Sequence, residues 1–372
     1  MRQPLRHLTI INQTAGSYSA WEVKEIEKQL KRFPSSLTGE VVVTSSLSEL
    51  EATLIRHQGE CPDLLGLGGG DDTASWVLTM AERVWGRIPE IAYFSMGRVN
   101  SLTAFLGLSD GLADKIKKVG KMPSTKALQL ARYISDRASF EQELQTREVA
   151  LLDINGRKGF NIGLGAVPRI LWTYFGRSIR DYQALEQSLS EAAPENYPGL
   201  LEERLQRKNH YGFVRNLGAV YALGTALQTI MASANPYSAL TRFYQQPLPA
   251  KIYLDGRRVD GEMPPLTAIF VSSYGELNLG VKGITLTLNP EAANNPRKVR
   301  AVLCPEPVLG VVRQLPKLAR GEKLDKVYYM TAREMRIEAD GPILATVEDG
   351  FIAAREFTVT LYKHPLRFVA PF

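Results

Sequence analysis

The stretch Gly66-Leu67-Gly68-Gly69-Gly70-Asp71-Asp72-Thr73-Ala74-Ser75 decides how the first third of the chain is read. An apolar run, Leu64-Leu65-Gly66-Leu67, precedes the glycines and has the length and composition of a buried strand. Ala74-Ser75-Trp76-Val77-Leu78 follows and reads as the opening turns of a helix. Glycines at 68, 69 and 70 let the backbone approach a ligand that a Cβ would exclude. A helix N-terminus suits an anion, yet Asp71 and Asp72 bring two negative charges into the same turn. A tight strand-to-helix turn without a ligand is the alternative. Three glycines followed by two acids exceed what such a turn needs, which favours ligand binding.

Working outward, strand-like and helix-like segments alternate. Leu8-Thr9-Ile10-Ile11 reads as a strand; Val23, Ile26, Leu30 and Phe33 give the next segment an apolar stripe at helical spacing. Val41-Val42-Val43 reads as a second strand, Leu47 to His57 as a second helix, and Ile91 to Phe94 as a fourth strand. This rhythm predicts an α/β domain over residues 1–147, a doubly wound parallel sheet with helices on both faces. Ligands in such sheets sit beyond the carboxyl ends of the strands, where the glycine-rich loop falls. From about residue 148 the texture becomes short β-like runs: Val149 to Ile154, Ala250 to Leu254, Leu266 to Ser272, Val299 to Leu303, Val327 to Met330, Arg333 to Ile337, Leu344 to Val347 and Phe357 to Leu361. Asp-Gly pairs at 255, 260, 340 and 349 add hairpin chemistry. Residues 148–372 are therefore expected to form an antiparallel β-sandwich, interrupted over about 168–245 by helical sequence.

With 372 residues the chain suits two domains. A hydrophobic share of 44% and a charged share of 23% are those of a globular protein. The net charge of +6 suits phosphorylated ligands or an anionic membrane surface and is too diffuse for nucleic acid. Cys61 and Cys304 make neither a disulfide framework nor a metal cluster, and His7, His57, His210 and His364 lack ligand spacing. No signal-peptide pattern opens the sequence, so a cytoplasmic location is expected. The uncharged stretch from Leu217 to Ala234 contains Gly218, Gly224, Thr225, Gln228 and Thr229 and reads as a buried helix rather than a membrane span. In the insertion, Trp172, Tyr174, Phe175, Tyr182, Tyr197 and Tyr211 mix with Arg169, Arg177, Arg180, Arg204, Arg207, Lys208 and Arg215. That composition describes a helical cap with a solvated basic face, or a face that docks peripherally on an anionic bilayer, here the inner membrane surface.

Taken in order, the motifs resemble the diacylglycerol kinase catalytic-domain family of bacterial lipid kinases and sphingosine kinases. Its opening Asn-Pro-x-x-Gly corresponds to Asn12-Gln13-Thr14-Ala15-Gly16, and the threonine after its second strand to Thr44. Its Gly-Gly-Asp-Gly-Thr corresponds to Gly69-Gly70-Asp71-Asp72-Thr73, and Gly-Thr-x-Asn-Asp to Gly97-Arg98-Val99-Asn100-Ser101. In the second half, Asn161-Ile162-Gly163-Leu164-Gly165, Pro290-Glu291-Ala292, Asp349-Gly350-Phe351 and Lys363-His364-Pro365-Leu366 follow the family order. NAD kinases share the glycine-aspartate loop and the α/β architecture around it, without this C-terminal pattern. The resemblance implies a kinase that uses ATP and Mg²⁺ to phosphorylate a lipid hydroxyl of the diacylglycerol or sphingoid class. Nucleotide would bind at Asn12, Thr44, Gly68, Gly69, Gly70, Asp71, Asp72, Thr73, Gly97, Arg98 and Asn100, with lipid in a cleft between the domains. Asp71 and Asp349 would be catalytic, and Asp71 a metal ligand.

The departures open a second reading. Asp72 replaces glycine, Arg98 threonine and Ser101 aspartate, while Asn294 and Asn295 occupy the acidic turn that would hold a structural Mg²⁺. Amides bind a hard cation poorly compared with carboxylates. Phe351 replaces the glutamate of Asp-Gly-Glu. Asp72 could adopt left-handed backbone, and an Asp72–Arg98 ion pair could fill an empty nucleotide site. A closer literal match, Val259-Asp260-Gly261-Glu262, precedes Pro290 and is expected to be only a hairpin loop. The chain is thus expected to be either an active lipid kinase or a lapsed relative that keeps a ligand in the same cleft.

Overall fold

The computed structural model describes residues 3–15, 18–96, 102, 106, 125–206, 237–273, 276–278, 285–287, 297–306, 308–314, 316–317, 320, 322–348 and 350–371. Strands β1 (Leu5–Asn12), β2 (Leu37–Thr44), β3 (Leu64–Gly69) and β4 (Glu90–Ser95) alternate with helices α1 (Ala20–Leu30), α2 (Leu47–Arg56) and α3 (Asp71–Trp85). Two serines start the first two helices. Ser19 Oγ accepts from the amide of Glu22, and Ser46 Oγ accepts from the amide of Glu49 at 3.2 Å, each satisfying a donor the helix leaves open. Helix α4 (Thr125–Ser139) and strand β5 (Thr146–Val149) follow.

The first sheet has six strands in the order β2-β1-β3-β4-β18-β5, β18 being Leu366–Val369. Strands β1 to β4 run parallel. One face carries α1 and α4, whose Val23, Ile26, Leu30, Leu130 and Ile134 pack on Ile11, Ala92 and Phe94. Helix α3 packs on β3 and beside α2 on the other face. The expected doubly wound α/β sheet is present. One strand arrives from an unexpected place: β18 lies parallel to β4 and antiparallel to β5, with Phe368 wholly buried. The chain thus divides into a unit of Met1–Leu151, Asn278–Lys282 and Lys363–Phe372, and a unit of Leu152–Leu277 and Gly283–Tyr362. An expectation of unbroken 148–372 misses this return, because four residues with an alternating pattern carry little strand signal.

The second unit is one continuous antiparallel sheet of ten strands. Its strands are β6 (Leu152–Ile154), β7 (Arg157–Gly159), β8 (Asn161–Gly165), β9 (Lys251–Leu254), β10 (Arg257–Arg258), β11 (Ala268–Ser272), β14 (Val299–Cys304), β15 (Tyr328–Ala332), β16 (Glu334–Val347) and β17 (Gly350–Leu361). A separate ribbon joins β12 (Glu276–Asn278) and β13 (Thr285–Thr287). The runs at 333–337 and 344–347, read as two strands, are one. Strand β16 pairs with β9 along Met335–Glu338 and its register shifts before Ile343; Ala345–Val347 then pair with β8. Met335 and Ile337 before the shift, and Ile343, Ala345 and Val347 after it, all enter one apolar core.

The Asp-Gly pairs divide on inspection. Asp255-Gly256, at φ 49° and 82°, makes the two-residue turn between β9 and β10. Asp260-Gly261 instead opens a 3-10 turn, where Asp260 Oδ1 accepts from the amide of Ile252 at 2.9 Å, and Asp340-Gly341 lies inside β16. Asn155-Gly156 makes a second such turn, between β6 and β7.

The insertion holds α5 (Ala166–Tyr174), α6 (Ile179–Glu191), α7 (Tyr197–Gln206) and α8 (Ala239–Tyr244), around a core of Trp172, Tyr182, Tyr197, Phe243 and Phe351. A short helix α9 (Val308–Arg313) lies further along the chain. Two of the insertion's arginines are not on a solvated face. Arg177 lies over the Trp172 ring at 4.8 Å and donates to the carbonyls of Arg204 and Leu205 at 2.5 and 2.7 Å, closing the C-terminus of α7. Arg169 is buried and donates to the carbonyl of Gln246 at 2.8 Å. Arg180 stays exposed; Arg207, Lys208, Tyr211, Arg215 and the stretch 217–234 lie outside the described residues. No helix among the described residues is long and apolar enough to cross a membrane.

His7 on β1 supplies a pH test of the first unit. Burial, aided by the charge of Lys31 and opposed by Glu40, lowers its pKa from 6.5 to about 4. The fold disfavours the protonated form, so stability is complete above pH 6.5 and falls as the pH drops toward 4. Each unit of pKa difference corresponds to about 1.4 kcal/mol. Between pH 7 and pH 4 the parent should lose about 3 kcal/mol more than His7→Leu in urea denaturation. Equal losses would remove His7 from the acid response.

Candidate functional site

Four parallel strands end together at one edge of the first sheet. Asn12 stands opposite Thr44, Ile11 opposite Gly68, and Gly69 opposite Ser95. Strand β2 lies on one side of β1 and β3 on the other, so the winding reverses between β1 and β3. Such a reversal opens a crevice at the carboxyl edge. Asn12, Thr44, Gly68, Gly69, Gly70, Asp71, Asp72 and Thr73 all gather there.

The glycines have a packing role before any ligand. A Cβ on Gly66 would meet Thr9 Oγ1 at 2.3 Å, one on Gly68 would meet Ile11 Cγ1 at 2.7 Å, and one on Gly69 would meet Thr73 Cβ at 2.7 Å. Gly70 caps α3 with ordinary extended backbone. Asp72 is helical, not left-handed, because α3 already begins at Asp71. Both acids occupy the first turn, where the helix N-terminus favours negative charge by about 0.3–1 kcal/mol each.

Side-chain hydrogen bonds tie the edge together. Asn12 Nδ2 donates to Thr73 Oγ1 at 3.0 Å, and its Oδ1 accepts from the amide and hydroxyl of Thr14 at 2.8 and 2.7 Å. The Gln13 amide donates to the carbonyl of Thr44 at 2.9 Å, a bond that proline could not make. Asp71 is buried at 4% exposure, and the Tyr93 hydroxyl lies 3.1 Å from its Oδ1 and 3.3 Å from the carbonyl of Gly69. Tyr93 was missed by sequence reasoning. Its signal was a phenol inside a doubly buried strand, where the hydroxyl must find a partner.

The donor chemistry fits magnesium only with a ligand's help. Among the described residues no group of three or more histidine, cysteine, aspartate and glutamate side chains could hold a metal. Magnesium is usually held by one or two carboxylates together with substrate phosphates and water. Asp71, a single carboxylate at the start of a helix, matches that pattern. A bare phosphate fits less well, since Asp72 opposes it. Gly97, Arg98, Asn100 and Ser101 lie outside the described residues, as do Asn294, Asn295 and Asp349.

In the second unit, Val347 pairs with Gly350, and Glu348 turns the chain at φ 55°. The Glu348 carboxylate accepts from the amides of Phe160 and Asn161 at 2.5 and 2.9 Å, and from Asn161 Nδ2 at 3.1 Å. Ser272 Oγ donates to Asn161 Oδ1 at 2.7 Å. Asn161, chosen by motif, is thus bound within the sheet. Phe351 is buried edge-on against Trp172 at 5.5 Å and near Phe175 at 6.3 Å.

Residues 6–132 match the family model of the diacylglycerol kinase catalytic domain. This is the family to which the motif order points. A diacylglycerol kinase from Bacillus anthracis str. Sterne shares the fold with TM-score 0.58 and 13% identity, over 100% of this chain and 98% of that one. A chain from the same organism, described as a candidate diacylglycerol kinase, matches with TM-score 0.62 and 15% identity over 100% and 98%. A further candidate from that organism gives 0.61 and 14% over 99% and 98%. Likeness at such identity establishes a shared fold. No curated protein sequence matches the chain.

Phe351 provides a direct test of the second unit. Replacing it with glutamate would place a carboxylate against Trp172 and Phe175. Burying a polar group without partners costs roughly 2–7 kcal/mol. Phe351→Glu should therefore destabilise the chain by about 3 kcal/mol or more in chemical denaturation, while Phe351→Leu should cost far less. Comparable stability of Phe351→Glu and the parent would mean that this side chain is not in the aromatic core.

Proposed function

We propose that the chain is a lipid kinase that binds ATP with Mg²⁺ at the β1/β3 crevice and phosphorylates a lipid hydroxyl of the diacylglycerol or sphingoid class. The gathering of Asn12, Thr44 and Gly68–Thr73 at the carboxyl edge of a sheet matching the diacylglycerol kinase catalytic domain carries this reading. Asp71 would hold the metal, and the first amides of α3 would face the phosphates. Asn12 fixes the Thr73 hydroxyl beside them. Bound magnesium would neutralise phosphate charge during transfer. Asp349 would take the proton of the acceptor hydroxyl, at an anionic bilayer face where such a lipid resides.

A second reading, a lapsed kinase that still holds a ligand, draws on Phe351. The position that carries a glutamate in the family pattern is occupied here by part of an apolar core. Nucleotide binding separates the two. Addition of Mg²⁺ and ATP should raise the melting temperature of the parent, since a ligand that binds only the native state stabilises it. Asp72→Gly should bind more tightly, because one charge near the phosphates is gone; weaker binding would show that Asp72 assists the nucleotide. No shift with the parent favours the lapsed relative.

Catalysis itself rests on Asp349. In a lipid phosphorylation assay with diacylglycerol and sphingosine, Asp349→Asn should slow the reaction by about 10²- to 10⁴-fold with nucleotide affinity retained. Asp260→Asn, whose side chain braces the β9 turn, should leave the rate within about twofold of the parent. The reverse ranking would move the catalytic base to the earlier Asp-Gly-Glu.

A further inference from the structure

We infer that Tyr93 is a positioning residue of the nucleotide site, one that couples the acid of the glycine-rich turn to the end of β4. The inference rests on the proposed nucleotide reading. Tyr93 stands opposite Leu67 on the neighbouring strand and is 2% exposed. Its hydroxyl reaches past the end of β3, lying 3.1 Å from Asp71 Oδ1 and 3.3 Å from the Gly69 carbonyl. That carbonyl also accepts from the amide of Met96 at 2.9 Å. One phenol therefore meets the carboxylate at the first position of α3 and the carbonyl that receives the end of β4.

A tyrosine has one hydroxyl proton, and between the Asp71 carboxylate and the Gly69 carbonyl the carboxylate is both closer and able to form the stronger, charge-assisted bond. The ring alone would fill its place in the sheet, as phenylalanine could. What the hydroxyl adds is an orientation for Asp71 and a shared anchor for the glycine-rich turn and the end of β4. Partners of a metal-binding carboxylate that touch no ligand themselves typically affect metal affinity by about 10- to 100-fold.

The experiment is titration calorimetry of the full chain with Mg²⁺ and the non-hydrolysable nucleotide adenylyl imidodiphosphate. Tyr93→Phe should bind about tenfold more weakly than the parent, with an unliganded melting temperature within about 3 °C. Asp71→Asn should also bind weakly, and adding Tyr93→Phe to it should change affinity by less than about twofold, because the tether then has no charged target. Parent-like affinity of Tyr93→Phe overturns the inference and leaves the nucleotide reading intact. Equal weakening by Tyr93→Phe in both backgrounds, accompanied by a large drop in melting temperature, assigns the phenol to packing instead. Absence of binding by the parent removes the nucleotide reading, and the role of Tyr93 with it.

Discussion

The packing of Thr9 and Ile11 of β1 beside the glycines of β3 governs the first unit. Gly66 and Gly68 face Thr9 and Ile11 with no room for a methyl group between them. Only that spacing lets the two strands lie side by side while Thr9 and Ile11 keep full side chains. From it follows the position of α3, whose first turn is fixed by a third tight contact, Gly69 against Thr73. Asn12, at the end of β1, reaches Thr73 in that first turn. A loop that looks designed for a ligand is first a solution to packing, set beside the crevice that the reversal of winding opens.

Much of this was legible in the residues and some was not. Apolar runs and a helical stripe were enough for the first four strands and three helices, because period and composition are local signals. The turn at Asp255-Gly256 was readable for the same reason, and Asn155-Gly156 carries an equivalent signal. Asp260-Gly261 and Asp340-Gly341 look alike on paper but differ in what surrounds them: an amide donor from Ile252 in one case and the middle of a long strand in the other. Long-range facts were invisible. Nothing local says that Arg177 will cap α7 across the insertion, or that Glu348 will hold Asn161.

The two halves of the motif pattern have fared differently. Around the glycine-rich turn, Gln13 and Asp72 are accommodated by a backbone bond and by the helix terminus. At Phe351 the change is of another kind. The side chain joins Trp172, Tyr182 and Phe243 in the heart of the helical insertion, so that position serves stability, and a charge there conflicts with the insertion as built. Whatever chemistry the second unit contributes must come from other groups.

The strand formed by Leu366–Val369 gives the molecule a peculiar order of assembly. It fills the gap between β4 and β5 in a sheet whose other five strands are all complete by Val149. During synthesis, which proceeds at roughly 5–20 residues per second, more than two hundred residues separate those strands from their missing neighbour. Until it arrives, β4 and β5 each keep an open edge, and an open edge invites foreign strands. A nascent chain must shield those edges for roughly ten to forty seconds at such speeds. Of the two units, the one whose strands come first in the sequence is the last to close.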